Sequence, residues 1–435
     1  LWFGIAMKFF ITVAWRNIWR NARRSLITAT AMAVSVGLCM AMITLNDGFY
    51  GKFFDVLVTQ SLGHVQIQNP EYLKTKNLHE SIKNAKLIMD GIKKNPTTKA
   101  ATARLHGNVL VGGPEKSAGA MVTGIVPEDE ILITKGDQQI IEGNYLSTED
   151  TTGVIVGVTL YEDLDIKLQD ELFLFTQGSD GSMAYGLYNV VGVYQSGSTL
   201  KDRGILMNLS SLQEMLIMED QVHEFILLGK DEDNIEAYKS DISGTISEVP
   251  NIEVIVKEGQ QPKDSKNITI DIRTWWETSP DVYNMMGMRD IATGIFLGII
   301  FFIAGFGILN TMLMSVFERT RELGILKALG LRPNKMIFLI LIESVFLSGI
   351  AAFLGCVFGG FLNWYLVVYG IDISGGTGEP LPIMGATFEP IVKGLFTLEA
   401  SALPVLALFC ISVLASLWPA YRASRLEPVH AIRQE

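Results

Sequence analysis

SLITATAMAVSVGLCMAMITLN, residues 25–46, is a stretch of 22 residues without a charged side chain, and its length decides the fold class. A helix needs about 20 mostly apolar residues to cross the hydrocarbon core of a bilayer. Working outward, Ile291–Phe317 and Ala400–Tyr421 are also free of charge, and Met336–Ile371 holds only Glu343. The chain therefore reads as an α-helical membrane protein with four transmembrane helices, TM1 (25–46), TM2 (291–317), TM3 (336–371) and TM4 (400–421). TM2 and TM3 exceed the required length, so their helices tilt or run on beyond the lipid. One long polar insert, 47–290, separates TM1 from TM2.

Orientation follows from the basic residues. Lys8, Arg16, Arg20, Arg23 and Arg24 precede TM1, five more basic residues lie in 318–335, and Arg422, Arg425 and Arg433 follow TM4. These segments hold 13 Lys and Arg against four acids, whereas 47–290 holds 21 against 37. The basic segments are expected to be cytoplasmic, with both termini inside and the acidic insert outside. Such an insert argues against nucleic acid and against tight docking on an anionic membrane surface. TM1 is too long for the apolar part of a signal peptide and is expected to stay as an anchor. Met7-Lys8 reads as a natural start, so residues 1–6 carry no functional weight.

The insert, roughly 240 residues long, can bury a core without covalent help. It has no cysteine; Cys39, Cys356 and Cys410 all fall in the spans, where they read as small packing residues. Alternation marks GHVQIQ at 63–68 as a strand, and apolar spacing predicts a helix over 78–94. Strands are expected at 119–125, 154–158, 171–176, 186–193, 203–209, 222–229 and 252–256. Helices are expected from Ser210 or Ser211 to Met218 and over 231–248. This is an extracytoplasmic α+β domain of two subdomains, with a β-rich part, about 130–205, inserted in the other. A polar connector, 257–271, leads back toward TM2.

Catalytic chemistry is not encoded in any motif. The chain lacks a GxxxxGK[ST] phosphate loop, an HExxH pair, a CxxC pair and a GxSxG elbow, and His64, His79, His106, His223 and His430 are isolated. An ion-driven carrier needs ionisable groups deep in its spans. Only Glu343 qualifies, and about two turns into TM3 its carboxylate is expected to reach the interface or bond a neighbouring helix. Energy for any transport must come from an external motor, so no catalytic, cofactor-binding or metal-ligating residue is assigned.

Three membrane features have shape. In AWRNIWRNARRS, 14–25, Trp15, Ile18 and Trp19 share one helical face and the arginines another, as in a helix (7–24) lying in the headgroup layer. Ala29, Ala33, Gly37 and Ala41 recur every fourth residue in TM1, and Gly355 and Gly359 do so in TM3, spacings that allow close backbone approach. The helix facing TM1 can belong to the same subunit or to a twin. In the loop FERTRELGILKALGLRP, 317–333, Glu318 and Glu322 lie near a helix start, where the dipole favours acids. Leu323, Ile325, Leu326 and Leu329 are apolar, Lys327 comes later, and Gly330 and Pro333 stop the helix.

That loop resembles the coupling segment of FtsX-like and MacB-like ABC transporter permeases. RNIWRNARRS (16–25) is similar to their entry into TM1, and WPAYRASRLEPVHAIR (418–433) to their closing motif. GHVQIQNPEY (63–72), TGIVPEDE (123–130) and TWWETSPDVYNMM (274–286) look most like the lipoprotein-releasing LolC/LolE type, whereas ERTRE (318–322) is closer to the MacB pattern. The resemblance implies a non-catalytic permease in the bacterial inner membrane with a periplasmic domain. It also implies a second permease subunit, identical or related, and a cytoplasmic ATPase dimer that binds the ATP and Mg. The coupling helix, 318–335, would meet that ATPase through Glu318, Arg319, Arg321, Glu322, Leu323, Gly324, Ile325, Lys327, Leu329 and Gly330. Replacing Glu318 and Glu322 with lysine is expected to uncouple the ATPase and leave folding intact. TM1 and TM2 would continue as stalks through Asp47–Phe54 and Trp275–Arg289 and move the periplasmic domain, which is mechanotransmission. In the lipoprotein-release version an acylated cargo passes to a periplasmic carrier, and Phe49, Phe53, Phe54 and Met285 either contact acyl chains or pack the stalk. A MacB-like efflux permease, an FtsX-like regulator of wall hydrolases and a lone membrane receptor are the alternatives. The outer loop 372–399 and the tail 422–435 carry no assignment.

Overall fold

The computed structural model describes residues 2–20, 22–196, 201–232, 234–250, 252–255, 268–378, 381–383, 386–388 and 390–427. They fall into two compact units: one of residues 1–51, 285–373 and 391–435, the other of residues 52–284 and 374–390.

The first unit is built from long helices: α1 (Trp2–Arg20), α2 (Ala22–Phe54), α3 (Pro280–Glu318), α4 (Thr320–Ala328), α5 (Pro333–Val368) and α6 (Leu398–Ser424). Among the described residues α2, α3, α5 and the Ser401–Ser424 part of α6 are long and apolar enough to cross a membrane. Each contains an expected span, except that α5 stops at Val368, before Gly370 takes a positive φ of 73° that L side chains avoid. Ala29, Met32, Val36, Cys39 and Met40 of α2 pack against Phe301, Ile308 and Met312 of α3, Leu347 and Ala351 of α5, and Leu408 of α6. Apolar side chains also cover the outside of α3, where Phe302, Ile303 and Phe306 are exposed. A helix apolar all round belongs in lipid.

Helix α1 differs from its expected geometry. It spans Trp2–Arg20, and α2 begins at Ala22. Phe10 and Ala14 are buried against Leu339 of α5, and Ile18 is buried too, while Trp15 and Trp19 are exposed. The expected Trp15–Ile18–Trp19 face is thus split: Ile18 is buried, while the two indoles meet edge-on at 5.9 Å, with Trp15 also against Phe346 of α5, and keep an exposed side.

The second unit carries an 11-stranded sheet. Its strands in chain order are β1 (Val65–Gln68), β2 (Thr98–Gly112), β3 (Ser117–Ile125), β4 (Ile140–Gly143), β5 (Gly153–Gly157), β6 (Glu171–Gln177), β7 (Met183–Tyr194), β8 (Ile205–Asn208), β9 (Glu224–Gly229), β10 (Ile252–Ile255) and β11 (Ile268–Thr274). Neighbours run β10-β11-β1-β9-β2-β3-β8-β5-β7-β4, and β6 bridges β2 and β7. The segment expected as an inserted subdomain is hydrogen-bonded into this sheet: β8 pairs with β3, and β5 pairs with β7 and β8. Leu105, Val111 and Val122 share one core with Val154, Leu172, Leu174, Val190 and Ile205.

The helix expected over 78–94 is shorter, Ala85–Lys94. Ile82 and Lys83 pair instead with Val222 and Gln221, and Asn84 turns the chain with a φ of 60°. The helix expected over 231–248 is Ile235–Ser247, capped by the Asn234 side chain. The polar connector mostly lies outside the described residues, and its end forms β11. The loop 372–399 holds two small antiparallel pairs, Ile371–Asp372 with Ile391–Val392 and Leu381–Ile383 with Ala386–Phe388.

Candidate functional site

The loop between α3 and α5 is a short helix tied down on one side and open on the other. Helix α3 ends at Glu318, Arg319 breaks the chain with φ −111° and ψ 14°, and α4 covers Thr320–Ala328, shorter than the expected 318–335. Gly330, with a φ of 95°, makes the turn that follows, and Pro333 opens α5. Glu318 therefore sits at the negative end of α3; only Glu322 occupies the first turn of α4, where the dipole favours it.

Four polar contacts hold this segment, three of them on α4 and its N-terminal Arg319 and one on the end of α3. Arg20 of α1 forks onto Glu322, Nη1 to Oε1 at 2.7 Å and Nη2 to Oε2 at 3.0 Å. Arg24 Nη1 of α2 reaches Glu318 Oε2 at 2.6 Å. Arg319 Nη1 donates to both carboxylate oxygens of Glu343 at 3.2 and 3.1 Å, so Glu343 is buried in an ion pair and does not extend to an interface. Lys327 Nζ donates to the carbonyls of Ser424 and Leu426 at 2.9 and 2.7 Å, satisfying acceptors that the end of α6 leaves unpaired. The hydrogen bond from Arg20 holds the Glu322 carboxyl below the usual carboxylate range. Leu323 packs with Val316, Met336, Ile340, Ala420 and Ala423.

The ten residues selected from sequence divide accordingly. Glu318, Arg319, Glu322, Leu323, Gly324 and Lys327 are buried or tied inside the chain; Arg321, Ile325, Leu329 and Gly330 are exposed. Arg321, Ile325 and Leu329 are spaced by four and form one stripe along α4, flanked by the exposed Ala328. Sequence reasoning used Arg20 and Arg24 as a basic flank, as the charged face of a headgroup-layer helix and as part of the entry motif 16–25, and did not pair them with the loop. The signal it passed over is a matched spacing: two arginines four apart meet two glutamates four apart.

The small residues of α2 meet α5 of the same chain. A Cβ on Gly359 would lie 3.0 Å from Gly37 Cα, and one on Gly355 would lie 3.1 Å from the Ala33 carbonyl, so the two backbones touch. Ala29 is buried on this helix and Ala41 is half-buried. Among the stalk residues, Phe53 is buried and stacked on Phe388 at 5.6 Å, which removes it from contact with acyl chains. Phe54 meets Trp275 edge-on at 5.5 Å, Phe49 meets Tyr50 at 5.4 Å, and Met285 is half-buried.

The α+β unit holds a buried polar cluster. Arg104 of β2 forks onto Glu130, with Nη2 to Oε1 at 2.6 Å. Glu224 of β9 accepts from Gln68 Nε2 at 2.6 Å and faces His106 Nε2 at 3.2 Å and Arg104 Nη1 at 3.6 Å. His223 Nδ1 accepts the His106 backbone N–H at 3.0 Å, and its ring stacks on Tyr72 at 4.2 Å. Burial alone would raise the Glu224 pKa, but the His106 hydrogen bond and the His106, Arg104 and Lys76 charges bring it down to about 2. Burial pushes His223 down to about 4. Two cavities, about 600 and 370 Å³, border the cluster and share His106 and Met121. On the face of β2 opposite the buried Leu105, Val109 and Val111, and continuing onto β6 and β7, Leu110, Phe173, Phe175, Met183, Tyr185 and Leu187 form an apolar surface, with Met183 79% exposed. Among the described residues no three His, Cys, Asp or Glu side chains are grouped to hold a metal ion.

Four apolar helices, a tied interhelical helix and an α+β unit are consistent with a membrane permease. Residues 25–245, more than half of the chain, match the MacB-like periplasmic core domain, and residues 294–428 match the FtsX-like permease C-terminal family. The chain belongs to the FtsX-like and MacB-like family of ABC transporter permeases. It is 23% identical over 439 residues to the lipoprotein-releasing system transmembrane protein LolC of Xylella fastidiosa, covering 96% of each chain. It is 21% identical to the ABC transporter permease MJ1507 of Methanocaldococcus jannaschii, over 99% of this chain and 100% of that one. It is 25% identical to the pyoverdine export ATP-binding/permease protein PvdT of Pseudomonas syringae, over 98% of this chain and 59% of that one.

Proposed function

We propose that this chain is the non-catalytic permease subunit of an inner-membrane ABC transporter, with both termini cytoplasmic, its α+β domain periplasmic and a second permease subunit beside it. A separate ATPase dimer binds ATP and Mg and drives it from the cytoplasm. The observation that carries this reading is the one-sided helix α4. It is fixed to α1, α5 and α6, so a push on Arg321, Ile325 and Leu329 reaches three helices at once. The cargo we assign is an acylated protein taken from the outer leaflet and passed to a periplasmic carrier. Full-length similarity to LolC supports that assignment, as does the apolar surface on β2, β6 and β7, which suits a partner that handles acyl chains. Glu318 and Glu322 act as internal ties in this scheme, so their reversal would disturb assembly as well as coupling.

The test is copurification of the full chain from native membranes. Ile325→Asp with Leu329→Asp should cut the recovered ATPase by about tenfold or more, because a docked apolar residue cannot be replaced by a charge without desolvation cost, while leaving the yield of folded permease unchanged. An unchanged ATPase yield would reject the docking stripe. An efflux reading is favoured by the similarity to PvdT and by the ERTRE segment at 318–322. Mass spectrometry of the purified complex separates the two: acylated protein supports release, and a small molecule with no acylated protein supports efflux.

A further inference from the structure

Helices α2 and α3 touch through polar groups at two levels. Thr28 Oγ1 meets Thr311 Oγ1 at 2.9 Å, and Asn46 Nδ2 donates to Thr293 Oγ1 at 3.0 Å. Thr28 and Asn46 are eighteen residues apart on α2, and Thr293 and Thr311 are eighteen apart on α3. Eighteen residues make five turns of 3.6, about 27 Å of rise, so both contacts leave each helix on the same face. The pair is antiparallel and in register from one level to the other, with no net slide. Apolar side chains, Met32, Val36, Cys39 and Met40 against Phe301 and Ile308, fill the space between.

An ion pair lies beyond each level, and the two have opposite polarity. At one end α2 supplies the cation, Arg24, to Glu318 at 2.6 Å. At the other it supplies the anion, Asp47, which pairs with Arg289; Thr397 Oγ1 also donates to Asp47 at 3.3 Å, and the Arg289 guanidinium lies 5.2 Å from the centre of the Tyr50 ring. Residues 25–46 of α2 and 291–317 of α3 carry no charge. A slide of one turn, about 5.4 Å, in the direction that draws Arg24 or Asp47 along its partner leaves it facing uncharged helix. Such a slide can put Arg20 or Arg24 against the other glutamate of the 318/322 pair, but no second register restores the Asp47–Arg289 pair, because Met285 and Thr293, one turn either side of Arg289, are uncharged.

We propose that α2 and α3 are a register-locked strut that carries displacement along the membrane unit as one body, with Arg24, Thr28, Asn46 and Asp47 as positioning residues. The functional part of this proposal rests on the permease reading; the register does not. A helix pair that instead slid during the cycle would dissipate the stroke between its two ends.

The test uses the full chain with Cys39→Ala, Cys356→Ala and Cys410→Ala, purified with its ATPase. Thr28→Cys with Thr311→Cys is oxidised to a disulfide, which requires Cβ atoms about 3.5–4.5 Å apart, and Asn46→Cys with Thr293→Cys is bridged by a short methanethiosulfonate reagent. Both are expected to close in the same molecule, and Thr28→Cys with Gly307→Cys, one turn out of register, to stay open. ATP hydrolysis by the doubly closed protein should stay within about twofold of the reduced protein, a barrier change below 1 kcal/mol. Closure of the offset pair, or failure of either matched pair, overturns the register. A loss of about tenfold in hydrolysis on closure, reversed by reductant, overturns the rigid strut. Absence of any copurified ATPase would reject the permease reading instead, while the closure pattern still decides the register.

Discussion

Arg104 in the α+β unit and Arg20 in the membrane unit each grip a glutamate with two guanidinium nitrogens, yet the two forks sit in opposite surroundings. The Arg104 side chain is 15% exposed and Glu130 is 7% exposed. Glu224, Gln68 and His106 fill the remaining positions around them, so every charge has its partner inside the protein. The Arg20 and Glu322 side chains are about half exposed, at 50% and 48%. Water competes for them, and such pairs contribute about 0–1 kcal/mol. Removing one member of a buried pair costs about 3–5 kcal/mol, because the other charge is left without compensation. The α+β unit is therefore cross-braced against deformation, whereas the Arg20–Glu322 fork between α1 and α4 can break and reform at little cost, as a joint requires, while the buried Arg319–Glu343 pair stays as its pivot.

The largest effect expected from this contrast is at Glu224. Replacing Glu224 with Leu leaves Arg104, Gln68 and His106 short of an acceptor in a buried place. Amide hydrogen exchange of β2 and β9 in the full chain should quicken by about a hundredfold or more, the equivalent of the 3–5 kcal/mol loss. Exchange unchanged within about threefold would mean that water reaches the cluster and that the bracing is weak.

Acid tests the same cluster more gently. The folded pKa of His223, about 4, lies below the ordinary 6.5, so the unfolded chain takes up the proton first. Stability is intact above about 6.5 and falls as pH drops toward 4. Glu224 acts over a lower window: its stabilisation is present above the ordinary 4.5 and is lost as pH falls toward about 2. Protection of β2 and β9 is expected to decline in two stages on acidification from pH 7. His223→Gln should remove the upper stage and Glu224→Gln the lower; a His223→Gln protein with the native upper stage would exclude this assignment.

How much of this contrast can be read in the chain depends on how local its causes are. The four apolar helices were legible because span length is a property of consecutive residues, and Gly330 and Pro333 marked the end of α4 for the same reason. The break at Arg319 was legible only approximately: the charge-free span ended at Phe317 and a helix start was read near Glu318, but the partner that draws Arg319 inward, Glu343, is 24 residues away. Strand β2 was missed because TKAATARLHGNVLVG, 98–112, has no clean alternation. Its first half pairs with β9 and its second with β3 and β6, so different neighbours set its faces. Ile82 fitted a helical period and went to a strand because Val222 was available to pair with it. Within the coupling segment, the sequence identified the residues but could not separate the stripe from the ties, since that division depends on where α1 and α6 lie.

The smallest effect is expected at Arg20, and it is the most specific test of the joint. Arg20→Gln removes the fork onto Glu322 but leaves Arg319 within 3.4 Å of the same carboxylate, and both members of the pair are reached by water. Thermal stability and hydrogen exchange should change by no more than about 1 kcal/mol. If α4 is held to α1 by this pair, chemical labelling of a Cys placed at Leu323, which is buried on α4, should be faster in the Arg20→Gln protein, because α4 then opens more freely. The reciprocal variant, Arg20→Glu with Glu322→Arg, should restore the native rate, because it keeps the pair and reverses only its direction. Restoration would assign the effect to the ion pair. A rate that stays altered would assign it to packing of the long side chains and would remove the distinction between a braced α+β unit and an ionic joint.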